Sequence, residues 1–101
     1  MDLGVVITDR SCIADASRLM QAAAARGWKL RCFLTDSGVH ALGDRTVHEL
    51  IAGGKTWLAL CELSVERYGV EIPEALAAHV VVGGQYQDAE LAHLSERVVV
   101  F

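Results

Sequence analysis

Several features that would place a chain in a specialised class are missing from this sequence. No apolar run approaches the roughly 20 residues that a membrane-spanning helix needs. The nine Lys and Arg residues are scattered and the net charge is −4, so a nucleic-acid role has no electrostatic support. The N-terminus lacks the basic start, apolar core and cleavage site of a signal peptide. We therefore expect a cytoplasmic protein with neither nucleic-acid nor membrane partners.

Cysteine and histidine are present, but not at the spacings that are typical of disulfide frameworks or metal sites. The three cysteines, at positions 12, 32 and 61, are odd in number and form no CxxC pair, which argues against a disulfide framework. Each is therefore interpreted alone, in a compartment that keeps thiols reduced. The four histidines form no HxxxH or HExxH motif, so the sequence predicts no metal site.

The bulk composition is that of one folded domain. The chain has 101 residues, of which 52% are hydrophobic and 22% charged, and we expect a single domain over residues 1–101. A chain this short buries a small share of its surface and is often helped by association. The high apolar fraction therefore suggests that other subunits cover part of the surface.

Strand-like and helical segments alternate along the chain. Strands are predicted over 3–8, 28–34, 56–60, 79–82 and 97–101, and helical segments over 13–25, 39–42, 46–52, 62–68, 74–78 and 85–94. Such alternation favours an α/β fold with a parallel sheet covered on both faces by helices. Ligands and reactive groups gather beyond the carboxyl ends of such strands. The residues at those ends are Thr8-Asp9, Thr35-Asp36, Cys61-Glu62 and Gly83-Gly84-Gln85.

Cys61 stands where the third strand passes into a helix. The positive end of the helix dipole and its unpaired N–H groups favour a thiolate, the form that attacks sulfur. The adjacent carboxylate of Glu62 opposes this, and Arg67 compensates only if the fold brings it near. A buried structural cysteine explains the position equally well.

The other cysteines, one histidine and a glycine pair are weaker candidates for functional residues. Cys12 is expected at the same edge of the sheet, either as a reactive or resolving thiol or, preferably, as a small residue at a helix start. Cys32 is predicted to lie in the core. His40 is the best histidine partner for Cys61, although an ordinary surface histidine is favoured. Gly83-Gly84 is better explained by a tight turn than by an anion site.

The order of these pieces resembles the DsrE/DsrF/TusD-like sulfur-relay (DsrEFH-like) family. Its cysteine segment is matched by the run from Leu58 to Ser64, followed by Arg67-Tyr68-Gly69-Val70. Further similarity lies in Gly4–Thr8, in Arg26-Gly27, in Phe33-Leu34 with Gly38-Val39, and in the runs 84–91 and 95–101. The resemblance therefore extends over nearly the whole chain.

The resemblance implies a three-layer α/β/α sandwich with a five-stranded parallel sheet, assembled as a trimer or hexamer of identical or related chains. It also implies a sulfurtransferase in which Cys61 accepts sulfur as a persulfide from a donor protein and relays it to an acceptor protein. Ser64, Arg67 and Gln85 are the expected supporting residues. No cofactor or metal is implied.

Two other functions remain open. The chain is alternatively a non-catalytic oligomer subunit or small-ligand-binding module of the same fold, in which Cys61 is unreactive. A redox pair of Cys12 and Cys61 is the third possibility, and it requires Cα atoms within about 7 Å of each other.

Overall fold

The computed structural model describes residues 1–101 and contains five strands and four α-helices. The strands are β1 (Asp2–Ile7), β2 (Lys29–Leu34), β3 (Thr56–Cys61), β4 (Val80–Gly83) and β5 (Arg97–Val100). The helices are α1 (Ile13–Ala25), α2 (Arg45–Ala52), α3 (Glu62–Tyr68) and α4 (Gln85–Leu94). Three 3-10 segments, Arg10–Cys12, Asp36–Gly43 and Glu74–His79, complete the chain. None of the helices is both long and apolar enough to cross a membrane.

The strands form one parallel sheet in the order β4-β3-β2-β1-β5. The first four strands add in one direction, and the chain then returns to place β5 beside β1. Because crossovers between parallel strands are right-handed, this reversal puts α4 on the opposite face from the earlier connections. The expected α/β class and three-layer α/β/α sandwich with a five-stranded parallel sheet are thus confirmed.

One face of the sheet carries the main core. Side chains alternate between the two faces of a strand, so Val5, Cys32 and Leu58 point to the same side. They pack against α1, α2 and the 3-10 segments through residues such as Met20 and Ile51, all fully or nearly fully buried. This core of 18 buried residues holds the carboxyl ends of the strands in place beneath the candidate site.

The other face is covered by α4 alone. Its core is small and consists of Val6, Phe33, Ala59 and Leu91. A Cβ at Gly4 would stand 2.7 Å from the Leu91 side chain, so the glycine lets α4 approach β1 closely. One helix does not span five strands, and apolar side chains of the edge strands remain exposed on this face.

The segment that follows β2 is fixed to the end of β1. The predicted short turn over 39–42 is in fact a longer 3-10 segment that begins at Asp36. The N–H of Thr35 donates to the Ile7 carbonyl (3.0 Å), and Gly38 packs so closely on that carbonyl that a Cβ would collide with it. Asp36 adopts a left-handed conformation with φ of 48°. The turn thus stays against the end of β1, while the Asp36 N–H donates to the Ser64 hydroxyl of α3.

Candidate functional site

Cys61 is the last residue of β3 and the N-cap residue of α3, as its position in the sequence predicted. Its backbone is extended (φ −70°, ψ 118°), and its side chain makes no capping hydrogen bond. Gly83, its partner in β4, has no side chain to cover it. The thiol is partly exposed. The sulfur atom therefore lies at the surface and takes no part in closing the helix.

Polar groups that face the thiol lower the pKa of Cys61 below its ordinary value. The largest contribution is the hydroxyl of Ser64, and smaller ones come from the Ser64 N–H, the Thr35 hydroxyl and the Leu63 N–H. Partial burial acts in the opposite direction. Each of these donors favours the thiolate over the thiol. The carboxylate of Glu62, which the sequence suggested would oppose ionisation, is not among the groups that shift this pKa.

Ser64 is oriented by the segment after β2. Its side chain is buried, and its Oγ accepts a hydrogen bond from the Asp36 N–H at 2.8 Å. The same oxygen lies 3.5 Å from the Thr35 hydroxyl oxygen. Because a backbone N–H can only donate, it occupies a lone pair of the serine and leaves the hydroxyl proton available. Ser64 is thereby arranged as a donor toward the sulfur of Cys61.

The thiol borders two clefts. The first, which we call the hydroxyl cleft, has a volume of about 490 Å³ and is lined by Thr35, Asp36, Cys61, Leu63, Ser64, Glu66 and Arg67. Arg67 thus lies at the same opening as Cys61, which is the proximity that the sequence left undecided. It forms no ion pair there, since the ion pairs of the structure involve other arginines.

The second opening, the glycine cleft, has a volume of about 390 Å³. It is lined by Phe33, Thr35, Cys61, Glu62, Leu63, Gly83, Gly84, Gln85 and Asp88. Gln85 therefore shares a cleft with Cys61 but not with Ser64 or Arg67. The Gly84 N–H donates to Gln87 Oε1 at 2.8 Å and is not free for an anion. This favours the tight turn over the anion site at Gly83-Gly84.

The rim around the thiol is acidic. Asp36 and Glu66 line the hydroxyl cleft, and Glu62 and Asp88 line the glycine cleft. Arg67 is the one basic residue at either opening. Charges that line the same opening add to a local potential that acts on an approaching charged molecule. An acidic rim of this kind favours the approach of cations over that of anions, although none of these carboxylates shifts the pKa of Cys61 itself.

The other two cysteines occupy different environments. Cys32 is fully buried in β2, as predicted, and burial raises the pKa of its thiol to about 12. Cys12 precedes α1 and is half-buried, with its sulfur 3.9 Å from the Ser11 hydroxyl. Strand β2 lies between β1 and β3, and at about 4.8 Å per strand the two carboxyl ends are about 10 Å apart. Cys12 lies a further five residues beyond the end of β1, and both cysteines are free in the structure, so a disulfide between Cys12 and Cys61 is disfavoured.

The remaining candidates from the sequence have structural explanations. The ring of His40 meets that of Tyr68 edge to face at 5.6 Å, and His40 borders neither cleft beside Cys61. Asp9 accepts hydrogen bonds from the N–H and hydroxyl of Ser11, which lower its pKa. Thr8 donates its hydroxyl to the Phe101 carbonyl at 2.8 Å. Thr8 and Asp9 thus stabilise the end of β1 and the turn after it, whereas His40 joins the 3-10 segment to α3.

Two residues of the site received no role from the sequence. Thr35 and Asp36 were recognised only as the end of a strand. In the structure the Thr35 hydroxyl helps to lower the pKa of Cys61, and the Asp36 N–H orients Ser64. The signal that marks them is the Thr35-Asp36-Ser37-Gly38 turn cluster directly after an apolar strand. This turn belongs to the site because β2, the strand before it, lies beside β3 in the sheet.

Comparison with known proteins establishes the fold. No protein-family model matches the sequence, and a search of curated proteins finds no match. Among solved structures, the crystal structure of the ychN protein from E. coli aligns with a TM-score of 0.75 and 18% sequence identity, over 100% of both chains. The chain is therefore similar in fold, along its whole length, to the ychN protein of E. coli.

Proposed function

We propose that this protein is a sulfur carrier, a sulfurtransferase that accepts sulfur as a persulfide on Cys61 and relays it to a partner protein thiol. The observation that carries the proposal is the partly exposed Cys61 thiol at the start of α3, whose pKa is lowered chiefly by the nearby Ser64 hydroxyl. A thiolate is the nucleophile in thiol exchange, and reactive cysteines need both ionisation and access. The similarity in fold to YchN adds support.

The loading step is an exchange at sulfur. The Cys61 thiolate attacks the outer sulfur of a donor persulfide, a new S–S bond forms, and the S–S bond of the donor breaks. The outer sulfur keeps its hydrogen and the donor leaves as a thiolate, so atoms and charge balance without an oxidant. Both clefts beside Cys61 are open enough to admit the donor sulfur.

Unloading reverses the roles. An acceptor thiolate attacks the outer sulfur of the Cys61 persulfide, and Cys61 leaves as a thiolate. A leaving thiol departs faster when its pKa is lower. The donors that stabilise the free thiolate, above all the Ser64 hydroxyl, therefore also assist the departure of Cys61.

The supporting residues lie in different clefts beside Cys61. Ser64 and Arg67 border the hydroxyl cleft, and Gln85 borders the glycine cleft. In the proposal, Ser64 stabilises the sulfur anion while Arg67 and Gln85 contact the donor or acceptor protein. The acidic rim favours partners that carry Lys or Arg around their reactive cysteine. A reducing cytoplasm suits this chemistry because it preserves the free thiol.

Assembly into a trimer or hexamer is part of the proposal. Apolar side chains of β4 and α4 lie exposed on the same face of the sheet, including Val81 at 39%, Tyr86 at 73% and Leu94 at 46%. Exposed apolar patches of this kind mark subunit or partner interfaces. Light scattering should give a mass of three or six chains, and Tyr86→Lys should reduce it. A monomeric wild-type protein would contradict this part of the proposal.

Mass spectrometry after incubation with a low-molecular-weight persulfide tests the carrier function. We expect one added sulfur atom on the wild-type protein and on Cys12→Ser, and none on Cys61→Ser. An unmodified Cys61 that is alkylated no faster than an ordinary exposed thiol would favour the non-catalytic subunit or ligand-binding module instead.

A further inference from the structure

A third cleft opens at the opposite end of the sheet from Cys61. It has a volume of about 390 Å³ and lies where β2 and β3 begin, bordered by Lys29, Arg31, Lys55, Thr56 and Trp57. We call it the lysine cleft. Trp57 and Cys61 are four residues apart on β3, which corresponds to about 13 Å along a strand. A molecule bound here would therefore not touch the thiol.

Positive charge is concentrated in the lysine cleft. The chain contains 13 acidic residues and nine basic ones, and its only two lysines, Lys29 and Lys55, both line this opening. Neither lysine belongs to an ion pair of the structure. The third cation, Arg31, is held by the Asp2 carboxylate at 3.1 Å and contacts the Leu94 carbonyl at 3.4 Å. Two charges without a counter-ion thus remain, in a protein that is acidic overall.

The backbone of the lysine cleft does not supply further anion donors. The Gly54 N–H donates to the Ile51 carbonyl at 3.0 Å, and the Lys55 N–H donates to the Leu50 carbonyl at 2.9 Å. Recognition of an anion would therefore depend on the lysine side chains. This makes the charge of Lys29 and Lys55 the quantity to test.

An aromatic ring forms another part of the wall. Trp57 is half-buried, and in the register of β2 and β3 it lies opposite Arg31. Strand alternation places Lys29 and Arg31 on the same face of β2, next to this ring. An indole offers a flat apolar surface for a planar ring. The volume of the cleft lies within the range of small-molecule sites.

We propose that the lysine cleft binds an organic phosphate that carries a planar ring, of which a nucleoside diphosphate is the simplest example. The phosphate groups pair with Lys29 and Lys55, and the ring lies against Trp57. This site is independent of the proposed sulfur chemistry, because the two lie at opposite ends of the strands.

Fluorescence titration with ADP tests the proposal. In a Trp28→Phe variant, Trp57 is the one remaining tryptophan and should show saturable quenching. The double variant Lys29→Gln/Lys55→Gln should bind ADP at least about tenfold more weakly, since it removes two charged contacts. Arg45→Gln, which removes one exposed charge on α2, should leave the affinity unchanged. Cys61→Ser should also bind normally, which separates this site from the carrier function.

Adenosine and pyrophosphate distinguish the two halves of the ligand. We expect ADP to bind more tightly than either, and its affinity to fall as salt is added, because exposed charges are screened. Adenosine that binds as tightly as ADP would overturn the role of the lysines. Pyrophosphate that binds as tightly as ADP would overturn the role of Trp57. No saturable binding of ADP, or full affinity in the double lysine variant, would overturn the site itself.

Discussion

The backbone N–H of Asp36 donates a 2.8 Å hydrogen bond to the Oγ of Ser64. This bond joins the segment after β2 to the first turn of α3, across a separation of 28 residues in the sequence. It also decides which way the serine hydroxyl works, because a hydroxyl oxygen that accepts from an N–H keeps its own proton to donate. The lowered pKa of Cys61 therefore depends on a contact between two elements, and not only on its place at a helix start.

Ser64→Ala tests this relationship. Loss of the hydroxyl removes the largest stabilisation of the Cys61 thiolate, so the pKa of Cys61 should rise toward its ordinary value. Alkylation by iodoacetamide at neutral pH should slow several-fold, and the midpoint of its pH profile should move upward. The variant should also lose about 1 kcal/mol of stability, because the Asp36 N–H is left without its acceptor.

Ser11→Ala is the matched control for that variant. Ser11 also contacts a cysteine, but that cysteine is Cys12, at 3.9 Å. Loss of the Ser11 hydroxyl should leave the reactivity of Cys61 unchanged. An identical pH profile for Cys61 in wild-type protein and Ser64→Ala would contradict the assigned role of the serine.

The acidic rim predicts a preference between two alkylating reagents of similar size. Iodoacetate is anionic and iodoacetamide is neutral, so repulsion should make iodoacetate the slower reagent at Cys61. The double variant Glu62→Gln/Glu66→Gln should raise the iodoacetate rate and leave the iodoacetamide rate nearly constant. Arg67→Gln should lower the iodoacetate rate. The difference between the iodoacetate and iodoacetamide rates should shrink at high salt. A ratio of these two rates that stays the same in every variant and at high salt would refute the electrostatic account.

Gly38 predicts a stability effect that reaches the site. A Cβ at this position would collide with the Ile7 carbonyl, so Gly38→Ala must push the 3-10 segment away from β1. We expect a loss of about 1–3 kcal/mol in urea unfolding and a slower Cys61 alkylation. Gly43→Ala is the control in the same segment, where nothing lies within 4 Å of the added Cβ. Equal stability of the two variants would show that the close approach is unimportant.

Burial of Cys32 predicts the response to alkaline pH. Burial raises the pKa of this thiol to about 12, against 9.0 for an ordinary thiol. Between about pH 9 and 12 the unfolded chain loses this proton and the folded chain keeps it, so stability must fall as pH rises. The slope should be about 1.4 kcal/mol per pH unit from this group.

Cys32→Ala isolates that contribution. The variant should be less stable near neutral pH because of the lost packing, yet its stability should decline less steeply above pH 9. Cys12→Ala, at a half-buried position, provides the comparison. Parallel stability curves for wild-type protein and Cys32→Ala would show that Cys32 ionises in the folded state as easily as in the unfolded one.

The elements nearest the site were predictable because local signals mark their ends. Helix α3 was predicted with its observed bounds, since it begins after an apolar strand and ends at Gly69, which adopts a left-handed φ of 61°. Helix α4 likewise begins after Gly84, whose N–H is capped by Gln87. Such signals depend on a few neighbouring residues. Periodicity and glycine placement were sufficient for them.

The partners of Cys61 were not predictable in the same way. Thr35 lies 26 positions before Cys61, and the two meet because β2 pairs with β3 in a register that sets Leu34 beside Leu60. Strand order and register follow from packing over the whole sheet, which no local pattern reports. The start of the 3-10 segment at Asp36 was missed for the same reason. Its conformation is imposed by the contact of Gly38 with β1.

A sulfur-chase measurement tests the central claim most directly. Cys12→Ser protein, loaded with isotopically labelled sulfur from a small persulfide, is mixed with an acceptor that carries one thiol, and both partners are followed by mass spectrometry. The account predicts that the label leaves Cys61 and appears as a persulfide on the acceptor, with no transfer from the Cys12→Ser/Cys61→Ser variant. Absence of label on Cys61 at the start, or label that stays there while free acceptor thiol is present, would contradict it.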